Sequence, residues 1–527
     1  MIETSTETLQ YFILVFSIVF IGCSIILFLQ NRTKAALFTL FIGSLGIHIF
    51  MALLDPFLND WDERFHALVA KNMMDNPFKP MLFTEHPLPY DYKSWTENRI
   101  WLHKQPLFLW KISLSYHLFG VNEFSLRLPT VIMATLLVPV IYRMGKLLFN
   151  KESGYLAAFF YALSYFHLEI VAGVLGMEHN TFAFIFYVTL SLWCWIEYEI
   201  TKKKIWLILI GLFSGFAVLN KWLVGLLVYA GWGLKILLKK ENRNQLKSYF
   251  DLSLSFLITL ITFLPWQIYI TLRFPLESAY EYSYNRRHIF EVLEGHSGTI
   301  WYHFEKFPEL YGVLFTVFIP FALFSFYYKS KHTSIALALL INVAIVYIFF
   351  SFIVKTKLPA YPYLVFSIIY LSLGVLAWTG IEYIKKLPVN LSKLPAFVFL
   401  IIIGFMNFQY FKIKQVHIDG TYSHYGWDGY RKNKIADTKF YKKLTELLPS
   451  KDYILFNVRK NEPVEISFYS GIRSYDKVPS FETYTFLKNN SYPIAIIDYG
   501  DLPDYIEKDT EIIKINRNSE VLNETLH

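Results

Sequence analysis

Asp62 and Glu63, in the run Asn59-Asp60-Trp61-Asp62-Glu63-Arg64, follow directly on an apolar stretch, Ala35 to Leu54, that is long enough to cross a bilayer. A carboxylate at a membrane edge is costly unless something pairs or uses it, and a positioned carboxylate can take the proton of an attacking hydroxyl. A second pattern is cationic. Lys221, in Asn220-Lys221, and Lys355 with Lys357, in Lys355-Thr356-Lys357-Leu358-Pro359-Ala360-Tyr361, occupy tight hairpins between apolar runs. Lysines there call for an anion, either the headgroups that a snorkelling side chain reaches or a bound phosphate. For Lys221 the two readings weigh equally. For Lys355 and Lys357 the phosphate is favoured, because Pro359 breaks the helix and stiffens the turn that holds the donors.

The elements that must position these groups follow from composition. The chain has 527 residues, 54% hydrophobic, 19% aromatic and only 17% charged, with a mean hydropathy of +0.35; this is a polytopic α-helical membrane protein. About twelve apolar segments have spanning length, at 11–29, 35–54, 124–149, 154–175, 180–200, 205–219, 222–238, 252–271, 308–328, 333–353, 359–380 and 394–412. A further stretch, Pro106 to Val121, is short and reads as an interfacial or re-entrant helix. The net charge of +8 is no nucleic-acid signal, because the basic residues gather in alternate short loops: Arg32/Lys34, Arg143/Lys146/Lys151, Lys202–Lys204, Lys239/Lys240/Arg243/Lys247, Lys329/Lys331 and Lys385/Lys386. The positive-inside rule makes those loops cytoplasmic. Both termini, Asp62-Glu63 and the lysine hairpins then lie on the outer face. Cys23 and Cys194 lie in apolar runs and read as packing residues. The acidic stretch Met1 to Gln10, with no small-residue cleavage site after the first span, predicts a retained helix over Tyr11 to Leu29.

Residues 1–412 therefore read as a membrane domain with outer loops at 55–123 and 272–307, and 413–527 as a soluble α/β domain on the outer face. Within the tail, the pattern predicts a helix over Thr438–Leu448 behind an Asp437 cap, and strands at Tyr453–Val458, Val464–Tyr469 and Ile494–Tyr499.

Four motifs in order carry a resemblance: Asp62-Glu63-x-x-x-Ala67-x-x-Ala70; Lys104-Gln105-Pro106-Leu107 with Trp110; Phe119-Gly120-x-x-Glu123-Phe124-Ser125-x-Arg127-Leu128-Pro129; and Lys355-x-Lys357-Leu358-Pro359-x-Tyr361. Over about 55–365 the chain resembles the GT-C glycosyltransferases, in the branch of lipid A aminoarabinose transferases and protein O-mannosyltransferases. The resemblance implies a GT-C fold of 12–13 transmembrane helices. It also implies an inverting transfer of a sugar from a polyprenyl-phosphate donor to a lipid, glycan or protein acceptor at the outer face of a bacterial inner membrane.

Asp62 aligns with the catalytic acid of that family, with Glu63 orienting it, sharing its proton or binding a cation. The alternative for Asp62 is a cap on the helix Glu63–Met74. Lys355, Lys357, Lys104, Lys221 and Arg127, with Tyr361, are the candidates for holding the lipid phosphate, although a loop-bracing ion pair is the better reading of Arg127. The resemblance also points to His103 and His288 as ligands of a divalent ion, zinc or magnesium, with hydrogen-bonded loop histidines as the favoured alternative. The chain departs from the branch in carrying Phe65 and His66 where Arg and Tyr are usual, which leaves the donor sugar open. Trp95, Trp101, Trp301 and Tyr302 could stack on a sugar, though belt anchoring is commoner. A lipid-sugar transporter is the reading from another class; it would need a polar path through the spans, for which His48, Glu169 and Glu178 are the groups to inspect.

Overall fold

The computed structural model describes residues 2–174, 179–221, 223–384, 394–424 and 426–517. Glu178 and the Lys385/Lys386 loop lie outside the described residues. Among these residues, eight helices are long and apolar enough to span a membrane, or ten if each of two bent pairs counts as one span. Two of the expected segments are not single long helices: Leu223–Leu226 is a 3-10 turn running into a short helix, Leu227–Leu238, and segment 394–412 is helical without a break only over Leu394–Phe408. The bent pairs are Lys151–Ala162 with Tyr165–Ala172, at 48°, and Tyr302–Tyr311 with Val313–Lys329, at 112°. Gly312 stands at the second break with φ +85°, a conformation that costs other residues strain.

The chain divides into two compact units. The first comprises Met1–Leu54, Lys104–Phe108 and Arg127–Lys412 and, among the described residues, contains the spanning helices apart from the first turn of Glu123–Leu148. Its helices approach closely where side chains are small. A Cβ at Gly211 would lie 2.6 Å from the Ser255 carbonyl oxygen, and one at Gly215 would lie 2.5 Å from the Thr262 Cβ. These two glycines, one helical turn apart on Lys204–Lys221, let the helix Leu246–Arg273 pack against its backbone. Thr259 locks the contact by donating to the Gly211 carbonyl at 3.0 Å.

The second unit comprises Asp55–His103, Leu109–Leu126 and Ile413–His527. Its core is a parallel sheet in the order β2-β1-β3-β4, with β1 Ile454–Phe456, β2 Arg473–Ser474, β3 Ile494–Ile497 and β4 Ile513–Ile515. Alternation along the strands sends Leu455, Ala495 and Ile497 toward Phe440, Tyr441 and Leu444 of the helix Tyr430–Leu447. Ile454, Phe456, Ile494 and Ile496 face Leu487, Ile506 and Leu88 on the other side. Both faces are covered, as parallel sheets require. Two expectations are corrected. Val464–Tyr469 belongs to a helix, Glu462–Tyr469, because Pro463 and two acids suit a first helical turn. Asp437 lies inside the helix Tyr430–Leu447, where it pairs with Arg517 at 2.5 Å and is no cap.

Pro106–Phe119 forms a helix of 14 residues, roughly 21 Å long and too short to span. It leaves Leu114, Leu118 and Phe119 exposed, consistent with an interfacial position.

Candidate active site

In the second unit, Asp62 is the first residue of the helix Asp62–Asn72. The N-cap position belongs to Trp61, which takes φ 65° and makes no side-chain cap bond. A positive φ in a bulky residue stores strain and persists only where its surroundings impose it. The surroundings are dense. Asn59 donates its N–H to Glu63 Oε2 at 2.6 Å, Leu58 N–H donates to the Tyr469 hydroxyl at 3.1 Å, and Asp60 N–H to the Tyr430 hydroxyl at 3.2 Å. Glu63 is thereby committed to bracing the turn that presents Asp62. Both carboxylates are buried, at 7% and 3% exposure.

Around them lies an ionic network that the sequence analysis missed. Arg64 contacts Asp60 and Glu465 at 3.2 Å each, and Lys434 contacts the same two acids at 3.2 and 2.6 Å. Two cations and two anions alternate, so each buried charge has two partners. Asp55 closes a further pair with His417, at 2.8 Å, and with Arg431. Only Asp60 and Arg64 lie near the motif in sequence; nothing in the spacing points to Lys434 or Glu465. One helical turn past Asp62, Phe65 stacks on Trp95 with ring centroids 4.4 Å apart and on Trp101 at 6.0 Å. His103 meets the same two indoles at 5.3 and 5.6 Å. Trp101 is fully buried and packs the helix in place, so it offers no sugar platform. Lys71, at the end of this helix, donates to the Phe468 carbonyl at 2.6 Å; burial, with the nearby Lys451 charge, lowers its pKa to about 8.

In the first unit the Lys355–Lys357 turn is clamped by three consecutive amides. Lys355 N–H donates to the Ile289 carbonyl at 3.0 Å, Thr356 N–H to His288 at 3.2 Å and Lys357 N–H to His296 at 2.9 Å. Thr356 Oγ1 adds a bond to the Glu291 carbonyl at 2.9 Å. The second outer loop, with His288 in it, thus lies along the lysine turn. The two ammonium groups differ. Lys355 is exposed, whereas Lys357 is buried and donates to the Phe350 and Ser351 carbonyls at 2.5 and 2.8 Å. Those carbonyls belong to a π-helical turn, Phe349–Ile353, a geometry that often marks functional sites. Burial and the neighbouring Lys355 charge lower the Lys357 pKa. Tyr361 stacks on Phe350 at 4.8 Å, and the Lys221 ammonium stands 5.9 Å from the Tyr361 ring while donating to Thr181 at 2.8 Å. Lys221, Lys355, Lys357, Tyr361 and the backbone of His288 are therefore brought together. Lys104 is half-buried in the short segment beside Gln105, whose side chain accepts from Gln267 at 2.8 Å. Arg127 is fully buried and donates to the Ala52 carbonyl at 3.1 Å, so it braces the end of a span.

Comparison with known proteins gives this arrangement a context. The structure matches ArnT from Cupriavidus metallidurans in the apo state with a TM-score of 0.59 at 14% identity, covering 88% of this chain and 86% of that one. The match to the same protein bound to undecaprenyl phosphate has a TM-score of 0.58 at 15% identity, with the same coverage. The archaeal oligosaccharyltransferase AglB from Archaeoglobus fulgidus, in complex with an inhibitory peptide and a dolichol-phosphate, matches at 0.52 and 13% identity over 82% of this chain and 64% of that one. The chain has the GT-C fold.

Within this GT-C chain, residues 103–269 match the family model described as dolichyl-phosphate-mannose-protein mannosyltransferase. An uncharacterized protein of Aquifex aeolicus is 27% identical over 57% of the chain. An undecaprenyl phosphate-alpha-4-amino-4-deoxy-L-arabinose arabinosyl transferase of Pseudomonas fluorescens is 24% identical over 59%. The chain spans about half the length of these curated relatives, 56% in each case. Among the described residues no three His, Cys, Asp or Glu side chains come together as metal ligands. A catalytic zinc site usually has three protein ligands, and His103 and His288 enter no step below.

Proposed function

We propose that this GT-C protein transfers a sugar from a polyprenyl-phosphate donor to a hydroxyl-bearing acceptor, with inversion at the anomeric carbon. The acceptor oxygen forms a bond to that carbon as the bond to the lipid phosphate oxygen breaks. Asp62 takes the acceptor's proton, and the lipid phosphate leaves with the bonding electron pair. The charge gained by the leaving phosphate is what Lys355, with Lys221 and Lys357 beside it, would stabilise. The fold shared with ArnT supports the reaction class, and the name of the Pseudomonas fluorescens relative supports an undecaprenyl carrier. The observation that carries the reading in this chain is the Lys355–Lys357 turn. An exposed ammonium on a backbone held by three consecutive main-chain bonds is a donor fixed for an anion.

Active site and tail are assigned to the outer side of the membrane, on the strength of the alternate basic loops. The acceptor is open between lipid, glycan and protein; the mannosyltransferase family match supports a protein acceptor as the second reading. A transporter gains nothing from His48, whose two ring nitrogens are both met inside the protein, by Thr135 at 2.9 Å and His167 at 3.1 Å. The experiment is a comparison of lipids and glycans from a deletion strain with those of its parent. Accumulation of a polyprenyl-phosphate sugar, together with loss of one glycosylated product, is expected; an unchanged lipid-linked sugar pool would refute the proposal.

A further inference from the structure

The second unit carries another cationic cluster, formed by Arg99 and His86 of the first outer loop and Arg473 of β2. The loop folds so that Met81 and Ile100 form an antiparallel bridge and Leu82 N–H donates to the Arg99 carbonyl at 2.9 Å. This sets Phe83 and Arg99 on adjoining arms. The Arg473 guanidinium carbon lies 3.6 Å from the Phe83 ring centroid and 4.3 Å from that of Tyr475. The Phe83 ring meets the His86 ring at 5.9 Å, and His86 packs on Tyr90 at 4.5 Å.

Stacking satisfies the faces of a guanidinium and leaves its in-plane N–H donors to be met. Here they are met only in part. Arg473 Nη1 donates to the Ser474 carbonyl at 2.9 Å, but its Nε, the Nε of Arg99 and both ring nitrogens of His86 are buried without a hydrogen-bond partner. Among the described residues no carboxylate forms an ion pair with either arginine. Glu97 is the acid whose charge reaches Arg473. Burial and the charges of Arg473 and Arg99 hold the His86 imidazole down at about 4, which reports both guanidinium charges acting on one point. Desolvated cations without counterions are expensive. A doubly charged anion with several acceptor oxygens would meet two guanidinium forks and an imidazole N–H at once.

We propose that Arg99, Arg473 and His86 form a binding site for a phosphate monoester, carried either by a free sugar phosphate or by a lipid headgroup. The site uses none of the residues assigned to the transfer reaction. The test is calorimetric titration of the full-length protein in nanodiscs, in a Lys355→Ala background so that the lysine turn does not contribute. The probes are glucose 1-phosphate, nanodiscs containing phosphatidic acid, and dimethyl phosphate as a diester control. At least one monoester should bind with the diester at least tenfold weaker, and Arg99→Gln and Arg473→Gln should each weaken binding tenfold or more. Binding of glucose 1-phosphate alone assigns the site to a free sugar phosphate, and dependence on phosphatidic acid alone assigns it to a headgroup. Arg473→Lys keeps the charge and loses the planar fork, so a normal melting temperature with weakened binding in that variant separates the lost fork from misfolding. No binding of either monoester, or parental binding by folded Arg99→Gln and Arg473→Lys, overturns the proposal.

Discussion

Lys355 and Lys357 are two residues apart and of one type, yet their surroundings predict opposite consequences of truncation. Lys357 donates to two main-chain carbonyls of a π-helical turn and is 4% exposed. Removing its ammonium strips both carbonyls of a charged donor, at roughly 1–3 kcal/mol for each buried acceptor left unmet. Lys357→Ala should therefore lower the melting temperature of the purified protein, and any loss of donor binding should follow the loss of fold. Lys355 is exposed and its main-chain N–H already holds the turn to Ile289, so Lys355→Ala should leave melting unchanged. If it grips the donor, the lost charge-assisted contact is worth roughly 1.5–3 kcal/mol, or about 10- to 150-fold in affinity. Exposure and screening place the expectation near tenfold at physiological salt, rising at low ionic strength. Undecaprenyl phosphate binding and thermal melting, measured on both variants in the same nanodiscs, decide the matter. Parental affinity in Lys355→Ala, with weakened binding and an unchanged melt in Lys357→Ala, would refute this reasoning and make Lys357 the phosphate ligand.

Three further outcomes are expected. Glu465→Gln leaves Arg64 and Lys434 with one formal anion between them and should destabilise the protein by roughly 3–5 kcal/mol, read as a fall in melting temperature. Lys71, at about 8, lies below its unfolded value near 10.5, so between these the unfolded chain binds more protons and stability rises with pH. The window is about pH 8 to 10.5, the contribution at most about 3 kcal/mol, and the rise in melting temperature across it should shrink in Lys71→Gln. Finally, Ser450→Cys, in the exposed turn before β1, should react with an impermeant maleimide added to intact cells; labelling only after permeabilisation would overturn the outward orientation.

What could be read from the sequence depended on how local the determining physics is. The apolar runs are local, so among the described residues the expected segments are helical, with a 3-10 turn or a break intervening at Leu223–Leu226 and after Phe408. The lysine turn was legible because Pro359 and the two lysines lie within five residues of one another. Its clamp was not, since the acceptors lie some 60 residues earlier, at His288, Ile289 and His296. The Asp62 helix was anticipated, but the turn before it was not: the N-cap residue is Trp61 with a positive φ, beside backbone bonds from Leu58 and Asp60 to Tyr469 and Tyr430. Val464–Tyr469 alternates well enough for a strand, yet Pro463 and Glu465 at its start favour the helix that forms. Arg127 shows the remaining limit. Bracing was the better reading of this residue, but its acceptor, the Ala52 carbonyl, lies 75 residues earlier and no spacing marks it.

The central claim is lipid-phosphate-dependent glycosyl transfer with Asp62 as base. Its most direct test uses purified protein in nanodiscs with radiolabelled polyprenyl-phosphate sugar and acceptor from the native membrane, comparing the parent with Asp62→Asn in single-turnover release of polyprenyl phosphate. The substitution keeps the shape of the side chain, so donor binding should be retained. The account predicts one polyprenyl phosphate released per sugar transferred by the parent, and a rate lower by about a hundredfold or more in Asp62→Asn. Release at the parental rate by Asp62→Asn, or transfer by the parent without release of lipid phosphate, would contradict it.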